Sequence, residues 1–176
     1  MAETVPLARF LARPGQAEGN GSGTASSADT GAGGSSSRSG ESVVGAVMAD
    51  AAEFSAVRYQ VPSGYRVREL RGDRMRDVTG LFDEFAAALQ FPYYFGGNKD
   101  AFDDCLRDLD DFLGPALGYV VAIRDADQVL AEAPDERRWF TAALQDCAEF
   151  WAGRDIAFRV VLQGRPRWLP AVAVRL

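Results

Sequence analysis

The stretch YRVREL (residues 65–70) sets apolar against charged side chains at every second position, the period of a strand with one wet face. Gly72 and Asp73 follow as a turn. The period then changes to that of a helix: Leu81, Phe82, Phe85, Ala86 and Leu89 share one face up to Pro92, and Thr79 is the expected N-cap. A second helix is expected to begin at Asn98 as cap and to bury Phe102, Cys105, Leu106, Leu109 and Leu113, until Gly114 and Pro115 stop it. YVVAI (119–123) is a continuous apolar run, as in a strand covered on both faces. Pro134 opens a long helix through Trp139, Phe140, Ala143, Leu144, Cys147 and Phe150 or Trp151. Gly153 closes it, and IAFRVVL (156–162) is a third strand.

Strand, helix, helix, strand, helix, strand is the order of an α/β protein with a small parallel sheet and helices packed on it. The flanks carry weaker patterns. Residues 14–47 are mostly Gly, Ser, Ala and Thr, too poor in apolar surface to offset the entropy of ordering, so residues 1–47 are expected to be a disordered extension and linker. Within it Leu7, Phe10 and Leu11 have helical spacing, enough for a marginal docking turn. Residues 48–64 are transitional, 65–163 form the folded domain, and 164–176 are a tail or an edge strand through Val172 and Val174, with Pro166 and Pro170 limiting its pairing.

Composition narrows the function. In 176 residues there is no histidine, which removes the commonest general base and metal ligand and excludes Ser/His and Cys/His nucleophile pairs. The formal charge is −6 without a long basic run, so no direct nucleic-acid partner is expected and a partner steered by charge should be basic. Cys105 and Cys147 are expected to be reduced, buried thiols, because one pair is not a secreted disulfide framework. The first residues lack a basic region followed by a continuous apolar one, and no apolar run is long enough for a membrane span. A cytoplasmic monomer without cofactor or metal is the expectation.

The charge pattern of the second helix is the main functional signal. Asp100, Asp104, Asp108 and Asp111 share one side, with Asp103 and Asp110 beside them. Asp100 suits the helix dipole in the first turn; Asp108, Asp110 and Asp111 oppose it at the other end. Like charges four apart cost about 0.2–0.5 kcal/mol per pair, so the row works against its own helix, with Arg107 a partial offset. Its plain explanation is a solvated face. Its neighbours argue for more: Tyr93, Tyr94 and Phe95 precede it, joined by Gly96-Gly97, and aromatics beside carboxylates are the material of a protein-binding site.

FPYYFGGNKDAFDDCL (91–106) resembles the characteristic motif of barstar, the intracellular inhibitor of the secreted guanyl-preferring ribonuclease barnase: a Pro, an aromatic pair, Gly, Asn, Asp-Ala and a closing Asp-Cys-Leu. The order of elements agrees over about residues 65–163. The resemblance implies a three-stranded parallel sheet with helices packed on it, and a second helix that plugs the active site of a basic secreted ribonuclease. It implies that Asp104 takes the place of a substrate phosphate, that Asp100 is a second acidic contact, that Tyr94 packs over a catalytic residue of the nuclease, and that Gly96 and Asn98 bring the loop backbone close. Asp103 stands where the family example has Trp, Lys99 where it has an apolar residue and Gly97 where it has an acidic one. For the family's acidic contact on the last helix, Asp146 and Glu149 are both candidates. Residues 65–163 hold 19 Asp or Glu against 12 Lys or Arg, a net of −7, which suits a basic target.

Other chemistries fit less well. Gly96-Gly97 lacks the Gly-Lys-Ser/Thr ending of a phosphate loop and adjoins carboxylates. Asp100 and Asp104 on an exposed helix face have nothing to separate their acidities for acid/base hydrolysis. DCLRDLDD lacks the spacing of a calcium loop. The alternative that remains is a domain of this fold that serves as an interaction or adaptor module and no longer inhibits a nuclease.

Overall fold

The structure, a computed structural model, describes residues 4–14 and 42–176. In chain order its elements are β1 (Thr4–Pro6), α1 (Leu7–Phe10), β2 (Val44–Val47), α2 (Ala51–Phe54), α3 (Val57–Gln60), β3 (Tyr65–Arg71), α4 (Val78–Leu89), α5 (Lys99–Arg107), α6 (Leu109–Leu113), β4 (Gly118–Arg124), α7 (Arg137–Ala152), β5 (Ala157–Gln163) and β6 (Val172–Arg175). The strands form one sheet in the order β1-β6-β2-β5-β4-β3, and every neighbouring pair is parallel.

The expected class is therefore present, with β4 covered on both sides as its apolar run requires. The strand count is six, not three. Both flanks enter the sheet. Thr4–Pro6 and Val44–Val47 are strands rather than parts of a disordered extension, the segment 48–64 contains two short helices, and β6 lies between β1 and β2 rather than at an edge. These strands have three or four residues each, too short to show a period, and their partners are distant in sequence, so only tertiary pairing selects them. The remainder of the expected linker, residues 15–41, lies outside the described residues.

Two apolar layers sandwich the sheet. Helices α4 to α7 press Phe82, Phe85, Phe102, Leu106, Phe140, Leu144 and Trp151 onto one face. On the other face Leu7, Phe10 and Leu11 join Phe54 and Val57 over Val120, Val161 and Val174. The cap of α4 is Asp77, whose carboxylate accepts from Gly80 N at 2.8 Å, and not Thr79. The expected single helix from Asn98 to Leu113 is broken at Asp108 (φ −112°, ψ 26°) into α5 and α6. The break has a visible counterpart: the Leu106 carbonyl accepts from Trp151 Nε1 (2.9 Å) and Cys147 Sγ (3.5 Å) of α7. Packing on α7 claims that carbonyl, which a continuous helix would use for Asp110 N–H.

Candidate protein-binding face

The loop ahead of α5 is anchored by some aromatics and displays others. Gln90, in the left-handed conformation (φ 59°), ends α4 and turns the chain so that Phe91 N donates to Ala86 O at 3.0 Å. Phe91 and Phe95 face inward, stacking on each other at 5.2 Å and on Phe102 and Phe82 respectively. Between them the turn closed by Phe95 N to Pro92 O throws Tyr93 and Tyr94 outward, 100% and 70% exposed, with their rings edge to face at 5.4 Å. Gly97 takes φ +61°, a conformation costly for any residue with a Cβ, and so delivers the chain to Asn98. Asn98 Oδ1 accepts from Ala101 N at 2.9 Å and starts α5.

Lys99, the first residue of α5, is a positive charge at the positive end of a helix. It is held there by the Glu136 carboxylate and by the face of Trp139, 5.0 Å from its Nζ to the ring centroid. This tie to the start of α7 was not legible in the sequence, because Lys99 and Glu136 are 37 residues apart.

On α5, Phe102, Cys105 and Leu106 are buried, which directs Asp100 and Asp104 to solvent. Neither enters an ion pair among the described residues. Asp103 differs from both: it is turned partly inward, and its Oδ1 is buried without a hydrogen-bond partner among the described residues. Desolvation raises its carboxyl pKa; Arg107 opposes the rise, and the charges of Asp146, Asp100 and Asp104 add to it. Asp146 and Glu149 are both exposed on α7, and the charge of Asp146 reaches Asp103. Asp108, at the break, is also pushed up, first by desolvation and then by Asp111, Asp110 and Asp104.

Tyr94, Gly96, Asn98, Asp100 and Asp104 are all exposed along one loop-helix segment, while Asp103 is half-buried. Cys105 and Cys147 are free, buried thiols whose pKa values burial raises, Cys147 well above the ordinary thiol range. Among the described residues no cluster of His, Cys, Asp or Glu is suited to hold a metal ion, and no helix is long and apolar enough to cross a membrane. What the face offers is surface chemistry: unpaired carboxylates on a firmly seated helix, beside two displayed phenol rings.

In comparison with known proteins, the family described as Barstar (barnase inhibitor) matches residues 65–163, from the first residue of β3 to the last of β5 and more than half of the chain. No curated protein matches it.

Proposed function

The chain belongs to the barstar family, and on that premise we propose that it is an intracellular inhibitor of a secreted, guanyl-preferring ribonuclease of the barnase type. The carrying observation is the pair Asp100 and Asp104, one helical turn apart on α5, both exposed and both without an ion-pair partner among the described residues. An RNA-cleaving site gathers cations around a phosphate and its neighbours. Two carboxylates on a rigid helix occupy such a site as charge-assisted hydrogen-bond acceptors while presenting no bond to cleave. Asp104 takes the phosphate position, Asp100 a second cation, and Tyr94 lies flat on the nuclease wall. Gly96 and Asn98 let the loop backbone approach, and Asp103, with Asp146, extends the negative field across α7. The net charge of −7 over residues 65–163 steers a basic partner and makes association sensitive to salt. The inhibitor acts as a monomer in the cytoplasm.

Titrating RNA cleavage by a barnase-type ribonuclease with the full chain tests this reading. Stoichiometric loss of cleavage supports it, and absence of both binding and inhibition refutes it. Binding without inhibition would instead favour an adaptor of this fold, a reading to which the aspartate at position 103 lends some support because it replaces an aromatic contact.

A further inference from the structure

On the side of the sheet away from α5, the N-terminal segment lies in a site that fits it closely. Beyond the three-residue pairing of β1 with β6, Leu7, Phe10 and Leu11 are all buried. Phe10 enters a space that only glycine leaves open: a Cβ at Gly45 would stand 2.9 Å from the Phe10 ring and 2.7 Å from Val174 Cγ2. The carbonyls that end α1 have no helical partners and must find donors elsewhere. Residues of the family-matched region supply them. Arg159 of β5 donates from Nε to Phe10 O (2.9 Å) and from Nη2 to Ala12 O (3.2 Å), and Tyr65 of β3 donates its hydroxyl to Leu11 O (2.6 Å). Arg13 adds an ion pair to Asp155 at 3.5 Å.

Three successive carbonyls are thus read by two side chains projecting from the sheet, above a pocket shaped for one aromatic ring. This is the chemistry of a receptor for a short helical turn: an apolar i, i+3, i+4 triplet fixed by its side chains and a helix C-terminus fixed by donors. The chain that joins Pro14 to Ser42 contains no aromatic residue and no aliphatic one larger than Ala, so it offers little apolar surface to bind the segment further. We propose that residues 4–14 are a tethered peptide ligand of the rest of the chain, and that the groove formed by Gly45, Tyr65, Arg159 and Val174 is a peptide-binding site able to accept the same segment as a free peptide. The tether supplies a high effective concentration, which keeps the site filled and makes the uncut chain a poor acceptor of added peptide.

The proposal is independent of nuclease inhibition. A protease recognition sequence placed within residues 15–41 of the full chain allows the tether to be cut after folding. The expected result is that the cut N-terminal fragment stays bound, is displaced by a fluorescently labelled peptide of residues 1–14 under native conditions, and that the labelled peptide carrying Phe10→Ala competes at least ten-fold less well. The uncut chain should take up the labelled peptide far more weakly than the cut one. A fragment that leaves on cutting, that cannot be exchanged without unfolding the remainder, or whose Phe10→Ala form competes equally overturns the proposal.

Discussion

The margin of the sheet at β3 and α4 and the exposed side of α5 are both rich in charge, and they treat it in opposite ways. At the margin, Glu84 is buried and accepts from Arg71 three times, from the backbone N, Nε and Nη2, each at 2.9 Å. The hydrogen bond from the Arg71 side chain is the main reason its carboxyl is held below the usual range. Glu69 is likewise shared between Arg124 at 3.0 Å and Arg58 at 4.0 Å. On α5, Asp100 and Asp104 have no ion pair among the described residues, and Asp103 is pushed the other way, its pKa raised by desolvation. A carboxylate that supports a fold is paired within it. Asp100 and Asp104 are not so paired among the described residues, and the helix tolerates the cost of their mutual repulsion.

Substitutions can separate the two regions, and the largest effect should come from Asp104→Ala. If Asp104 forms a buried ion pair in the complex, its loss should cost about 3–5 kcal/mol of binding, as is usual when one partner of such a pair is removed. Inhibition assays should show this as a loss of roughly two to four orders of magnitude in affinity, with Tm unchanged or slightly higher as repulsion within the row is relieved. Glu84→Ala should do the reverse: a Tm lower by several degrees in a thermal melt, and an unchanged inhibition constant. Tyr93→Ala comes next, since the ring is fully exposed and touches Tyr94 alone among the aromatic contacts. About 1 kcal/mol of binding, near five-fold in Kd by surface plasmon resonance, should go with no change in Tm.

The smallest effect, and the one that contrasts the regions most finely, lies in pH. Because folding raises the Asp103 pKa, its ionised form destabilises the native state above that pKa, and acidification through it stabilises the protein. Folding lowers the Glu84 pKa, so its contribution is full above the unfolded carboxyl range and is lost as pH falls through the folded value. Melts recorded from neutral to acid pH should therefore show Tm rising a little before it falls. Asp103→Asn should raise Tm at neutral pH by a degree or two and flatten the initial rise.

The parts of this architecture that were legible in the sequence are those with long periods. The apolar runs behind β4 and β5 and the helical stripes of α4 and α7 each span many residues, so local pattern and tertiary burial agree. β1 and β2 were missed because strands of three or four residues show no period and Gly- and Ser-rich sequence precedes β2; for β6 the sequence left a tail or an edge strand open, and its place between β1 and β2 depends on pairing with distant strands. Leu7, Phe10 and Leu11 did signal a docking turn, yet nothing local could indicate that Arg159, some 149 residues away, would bind its carbonyls. On the acidic face the pattern showed which aspartates share a side. That Asp103 is half-buried and feels the charge of Asp146 depends on how α5 packs on α7, which no spacing within α5 encodes.

In the proposed function the α5 carboxylates occupy a nuclease active site. The most direct test measures inhibition of fluorogenic RNA cleavage by a barnase-type ribonuclease, for the full chain and for Asp104→Ala, at low and high salt. The full chain is needed because β1 and β2 lie outside residues 65–163 and belong to the same sheet. Tight inhibition that weakens with salt in the parent chain and largely disappears in Asp104→Ala is the result expected. Equal inhibition by both proteins, or inhibition indifferent to salt, would place the contact elsewhere on the molecule and contradict the account.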